Sequence, residues 1–141
     1  MRKLIFIVSI FCTVLAIAQN QKPQLRFITD SVMLGELVEV ELTYHHPKEF
    51  EVLFPDSTFD YKPFEFVKKK LFTTRSNDSI SSDCTIYLLQ TFELDHVQDL
   101  QLGVTMFTSK DSFIVSTNSD SVFLKEISLS LIPYQSYLKE N

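Results

Sequence analysis

The chain has 141 residues, 45% hydrophobic and 22% charged, which suits one globular domain with a sizeable core and is too apolar for disorder. Its formal net charge of −5 argues against nucleic acid and against electrostatic docking to an anionic membrane, since both need a basic footprint. Phe is frequent at 13, Trp is absent and only Gly35 and Gly103 are glycine, so strands are favoured and turns must be built from Asn, Asp and Ser.

Residues Met1 to Ala18 have the form of a secretory signal peptide: Arg2 and Lys3 before an apolar run from Leu4 to Leu15, then the small-x-small signal Ala16-Ile17-Ala18. The run is shorter than the roughly 20 apolar residues of a spanning helix and ends in polar Gln19 to Lys22, so cleavage is expected rather than a retained anchor. Bulky Phe11 before Cys12 does not fit a lipoprotein signal. Removal of the leader leaves 11 basic and 18 acidic residues, a net −7, and Cys84 as the single cysteine. No intramolecular disulfide can then form, and the strand parity around Cys84 predicts a buried, inert thiol.

Pro23 to Asp30 reads as a first strand, leading through Ser31 and Met33 into the stretch that organises the domain. From Leu34 to Tyr44, Val38, Val40, Leu42 and Tyr44 share one parity and Glu39, Glu41 and Thr43 the other. That alternation predicts a strand with one apolar and one wet face, ended at His45-His46-Pro47 because proline cannot continue a central ladder. Glu49 to Phe54 follows as a short strand. Pro55 to Pro63, rich in Pro and Asp, reads as a loop. Phe64 to Phe72 is the next strand, and its run Lys68-Lys69-Lys70 suits an exposed edge, where charge blocks pairing with another molecule.

Arg75 to Ser79 is a polar turn, which also accounts for the glycosylation-like Asn77-Asp78-Ser79. Ile80 to Leu94 is the longest strand pattern, apolar on both faces near Tyr87 to Leu89, as a central strand is. Asp95 to Asp99 reads as a loop, and Leu100 to Met106 alternates as a strand. Ser109 to Ser112 marks a hairpin returning through Phe113 to Ser116. Thr117 to Asp120 is a polar break, Ser121 to Leu131 the last strand and Pro133 to Asn141 a tail or linker. No sustained helical period, repeat or second composition regime occurs after the leader. Short strands separated by turn signals predict an all-β antiparallel β-sandwich over 19–132, without the Cys and Trp hallmarks of antibody-type domains.

Chemistry is scarce. His45 and His46 are adjacent and point to opposite faces of a strand, so they cannot chelate one metal, and no Cys/His spacing suits zinc. His96 beside Asp95 lacks a Gly-x-Ser-x-Gly partner. Glu36, Glu39 and Glu41 lie along one stretch instead of facing across a cleft, as glycosidase carboxylates do. Asp56, Asp60, Asp111 and Asp120 are turn residues with no calcium-loop spacing. Two glycines cannot build a phosphate loop. No catalytic, cofactor-binding or metal-ligating residue is therefore assigned, no cofactor is expected, and an enzyme is not expected. Phe59, Tyr61, Tyr134 and Tyr137 are the candidates for an exposed aromatic platform in the alternative reading, a carbohydrate-binding sandwich.

Leu34-Gly35-Glu36 before an alternating strand, Tyr87-Leu88-Leu89-Gln90-Thr91-Phe92-Glu93-Leu94, and Asn118-Ser119-Asp120-Ser121-Val122 together resemble the immunoglobulin-like region of BatD, or oxygen-tolerance, proteins. Phe54-Pro55-Asp56-Ser57, Phe64-Glu65-Phe66 and Ser81-Ser82-Asp83 resemble an uncharacterised group of bacterial exported proteins of that type. These are packing and turn motifs covering most of the chain after the leader. The resemblance implies an immunoglobulin-like sandwich preceded by a signal-peptide helix. It also implies a periplasmic or cell-envelope location and a non-enzymatic role with an envelope protein as partner. Such proteins continue into a transmembrane helix and cytoplasmic tail, so a membrane tether is expected where the chain continues past Asn141. Strand addition at an exposed edge is the expected mode of recognition.

Overall fold

The structure, a computed structural model, describes residues 21–126. The leader, the tail from Pro133, and with it Tyr134 and Tyr137, lie outside the described residues. Eleven strands and no helix occur among the described residues: β1 (Gln24–Phe27), β2 (Ser31–Val32), β3 (Leu37–Pro47), β4 (Glu51–Leu53), β5 (Phe64–Leu71), β6 (Arg75–Ser76), β7 (Ile80–Thr91), β8 (Val97–Leu100), β9 (Gly103–Phe107), β10 (Ser112–Ser116) and β11 (Asp120–Leu124).

One layer is the sheet β1-β3-β7-β5, with β6 also on β7. Its spine is the antiparallel ladder of β3 on β7, from Leu37 opposite Gln90 to Pro47 opposite Ile80. Side chains alternate faces along a strand, so Val38, Val40, Leu42 and Tyr44 of β3 are buried on the same side as Thr85, Tyr87, Leu89 and Thr91 of β7. The other layer is split into β10-β9-β4 and β2-β11-β8. Leu100, Leu102, Val104, Met106 and Val122 face inward from it, and the Tyr44 hydroxyl reaches Met106 Sδ at 2.9 Å across the sandwich-like interior. All pairings are antiparallel except β2 with β11, which is parallel.

Two short crossings hold the split layer together. Gln101 and Leu102 carry the chain from β8 to β9, and Thr117 to Ser119 carry it from β10 to β11. Buried Thr117 ties them: its N–H donates to the Leu102 carbonyl at 2.9 Å and its Oγ1 accepts the Leu102 N–H at 3.0 Å. Gly35, with φ +74°, turns the chain into β3. A Cβ there would stand 3.2 Å from the Phe92 ring, so the position suits glycine in both respects.

Several boundaries differ from the sequence expectation. β3 runs through His45 and His46 and ends at Pro47, which sits at the rim opposite Ile80 and so interrupts no central ladder. Ser31 and Val32 form a strand of their own against β11. Val97 to Leu100 is a strand and not a loop. Its alternation is inverted, with Gln98 buried and Val97 exposed, which hid it from a hydropathy reading. Gln98 is held by its Nε2, which donates to the carbonyls of Glu93 at 2.8 Å and Asp95 at 3.2 Å.

Leu42 is fully buried at the centre of β3. Leu42→Ala is expected to destabilise the fold by about 2–5 kcal/mol, the usual cost of a large-to-small core change. Chemical denaturation with an unchanged slope checks it.

Candidate functional site

The residues with chemical potential are scattered and occupied. His46 is buried, with Nδ1 at 2.9 Å from the Pro47 carbonyl and Nε2 at 2.6 Å from Asp83 Oδ2. Thr74 Oγ1 donates to the other oxygen of Asp83. Both ring nitrogens are engaged within the protein, so the group fastens the rim of β3 to β7 and offers no free nitrogen to a substrate. His45 points the other way and is exposed. His96 is exposed, its ring centroid 6.0 Å from that of Phe123. Glu36 accepts the Met33 N–H at 2.8 Å, Glu39 is exposed, and Glu41 pairs with Arg26 at 3.0 Å. Among the described residues no three His, Cys, Asp or Glu side chains converge as a metal site.

The loop from Pro55 to Pro63 folds back over the large sheet. Tyr61, expected as an exposed platform residue, is instead buried. Its hydroxyl donates to the Asp56 carbonyl at 2.9 Å, and its ring lies 5.4 Å from Phe66 and 5.7 Å from Tyr87, centroid to centroid. Burial pushes both the Tyr61 and the Tyr87 hydroxyl well above the usual tyrosine range. Phe59 remains exposed at the loop surface. Asp56 accepts the N–H and hydroxyl of Thr58, which hold its carboxyl below the ordinary carboxylate range. An open cleft beside this loop is lined by Phe59, Phe66, Phe92, Asp60, Glu65 and Glu93 among others, but by no histidine or cysteine.

The sheet edges are the distinctive feature. A strand at an edge presents unpaired N–H and C=O groups to any extended chain. The bond from Ile28 N–H to the Glu39 carbonyl fixes the phase of β1 on β3, and Leu25 and Phe27 direct their backbone groups outward. Side chains from the β10–β11 crossing and β11 cap that edge. Asn118 Oδ1 accepts the Leu25 N–H at 2.8 Å, Asn118 Nδ2 donates to the Leu25 carbonyl at 3.0 Å, and Asp120 Oδ2 accepts the Phe27 N–H at 2.8 Å.

At the opposite edge, β5 carries Lys68 and Lys70 exposed, with a bulge between Phe66 and Lys68. The lysine run thus stands at an edge, as its sequence indicates. Lys69 departs from that picture. Its Nζ donates to the carbonyls of Phe54 at 3.0 Å and Pro55 at 3.1 Å, so it clamps the loop, and burial lowers its pKa. β4 has three residues including Glu51, β2 has two, and β8 has four with Asp99 among them. Short length and charge are both ordinary means of discouraging edge pairing.

β10 has none of these devices. Its five residues Ser-Phe-Ile-Val-Ser carry no charge and no proline, and they pair with β9 without a bulge. Thr108 N–H bonds the Asp111 carbonyl at 2.8 Å, and Thr117 N–H bonds the Leu102 carbonyl at 2.9 Å. Both pairs lie in the β9–β10 register, so Phe113 and Val115 take the alternate bonded positions while Ser112, Ile114 and Ser116 turn their N–H and C=O groups away from β9. No side chain caps these groups among the described residues. Ile114 is 71% exposed on the outer face, packed over Gly103, where a Cβ would come within 2.8 Å of its Cγ2. Leu53 and Thr105 stand in register with Ile114 across β4 and β9, and exposed Phe107 adjoins them.

Comparison with protein-family models, with curated proteins and with solved structures returns no match. Within this geometry the uncharged, regular β10 edge is the distinctive surface among the described residues. The turn residues Asn118 and Asp120 are its counterpart: their capping role joins positions 93 residues apart, and no local pattern in the sequence signals it.

Cys84 lies on the outer face of the large sheet opposite Thr43, half-buried and not in the core. Burial and then the nearby Glu41 carboxylate raise its thiol pKa, which leaves less thiolate near neutral pH. The pH profile of its alkylation is expected to lie above that of an unhindered cysteine. Glu41→Gln is expected to move the profile down while leaving it elevated; stopped-flow labelling across pH checks both shifts.

Proposed function

We propose that this chain is an exported, non-enzymatic interaction module of the bacterial envelope, an immunoglobulin-like sandwich that recognises an extended segment of a partner protein by strand addition along β10. The observation that carries this reading is the contrast between edges. β1 is capped by Asn118 and Asp120 and β5 is lysine-rich and bulged, whereas β10 is neutral, regular and uncapped among the described residues. In strand addition the main chain supplies affinity and alternate side chains supply selectivity. Exposed Ile114 gives the added strand an apolar side chain to contact on the outer face.

Four further observations support the reading. The leader pattern of residues 1–18 directs the chain out of the cytoplasm. Among the described residues, the engaged ring nitrogens of His46 and the dispersed carboxylates offer no reacting constellation. The acidic balance favours a protein partner over nucleic acid. The buried Tyr61 removes a member of the aromatic platform that a carbohydrate-binding sandwich needs.

Photo-crosslinking in fractionated envelopes tests the proposal. A photoreactive residue at Ile114 is expected to give a discrete protein adduct in the periplasmic or membrane fraction, and the same residue at Lys70 none. Retention of the chain in the cytoplasm, or equal adducts from both positions, would contradict it.

A further inference from the structure

The β10 edge can take a second copy of the same strand as its partner. This rests on the strand-addition reading above and names the occupant. Ser112, Ile114 and Ser116 are the positions whose backbone groups face away from β9. A two-fold axis through Ile114 sets Ile114 opposite its own copy, Ser112 opposite Ser116 and Ser116 opposite Ser112. Every outward-facing residue then meets another outward-facing residue, in the reciprocal bonding pattern of an antiparallel pair. In the same register Phe113 lies opposite Val115, an aromatic with a β-branched side chain, which is a favourable cross-strand pair. Phe113 is 46% exposed despite sharing the inward parity of Val115, which packs against the core, and the added strand would cover it.

Local charge separates the edges. The acidic balance of the whole chain works against self-association, so a second copy must be met through uncharged surface. Ser112 to Ser116 is such a surface, whereas β5 would oppose lysine to lysine and β8 would bring Asp99 to the contact. We infer that the protein forms a two-fold dimer in which β10 pairs antiparallel with β10 of a second copy, joining two β4-β9-β10 sheets into one continuous sheet.

Five residues a side make a small interface at the transient end of the known range, so a dissociation constant on the order of tens of micromolar is expected. Sedimentation of the purified chain across a concentration series reads it. Ile114→Pro removes an N–H that serves no bond to β9, and Ile114→Lys sets like charges face to face. Each is expected to weaken the dimer at least about tenfold, with unchanged far-ultraviolet circular dichroism. Should the proline variant unfold, the lysine variant, altered at a side chain that is already exposed, carries the test.

Register is read by oxidation in a Cys84→Ser background. Ile114→Cys is expected to form a disulfide-linked dimer, because each cysteine faces its own copy. Ser112→Cys is expected to form none, because it faces Ser116. A dimer that neither Ile114 variant weakens, or one crosslinked as readily through position 112 as through 114, would overturn the inference. A chain that stays monomeric while Ile114 crosslinks to a different envelope protein would overturn the second copy as occupant and leave strand addition standing. A monomer with no adduct at Ile114 would overturn both.

Discussion

The ladder between β3 and β7 decides the remainder of the structure. Over the eleven residues of β3 it fixes a single register, and a slip of one residue would turn Val38, Val40, Leu42 and Tyr44 outward and Glu39 and Glu41 into the core. With that face committed, the second layer must supply matching apolar residues, which come from β8, β9 and β11 and the Leu102 crossing. Burial at roughly 25 cal/mol per Å² then stabilises the sandwich without a disulfide.

A layered β protein that does not close on itself has edges, and each must be managed. Here the solutions differ in kind. β1 is closed by two side chains that reproduce the bonds of a neighbouring strand, β5 by lysine and a bulge, and β2 and β4 by brevity. An edge left regular and neutral among such neighbours is a place where pairing with another chain is tolerated. The same logic separates the three lysines. Lys68 and Lys70 face solvent, while Lys69 lays its stem over Tyr87, with Nζ 5.9 Å from the ring centroid, and holds the loop carbonyls.

Much of the fold was legible in the sequence because parity is local. The inward set of β3, the central position of β7, the Ser109–Ser112 hairpin and the edge position of the lysine strand all follow from alternation and turn chemistry. What escaped was non-local. Tyr61 looked exposed because a Pro- and Asp-rich segment reads as loop, and hydropathy does not say that the loop folds back across Tyr87. Val97 to Asp99 looked like loop because its buried residue is a glutamine, whose Nε2 donates to two carbonyls. Cys84 shares its parity with Ile86 and Leu88, yet that face is only half covered. The open character of β10 was not legible either, since it depends on its place at the end of the β10-β9-β4 order, which strand pairing and not local pattern decides.

Residue-resolved amide hydrogen exchange in dilute solution tests the central contrast between edges most directly. The Ile114 amide is expected to exchange rapidly while those of Phe113 and Val115 are protected by β9, and the amides of Leu25 and Phe27, though at an edge, are expected to be protected by Asn118 and Asp120. An Ile114 amide as slow as that of Phe113 in the monomer, or a Leu25 amide as fast as that of Ile114, would contradict the account.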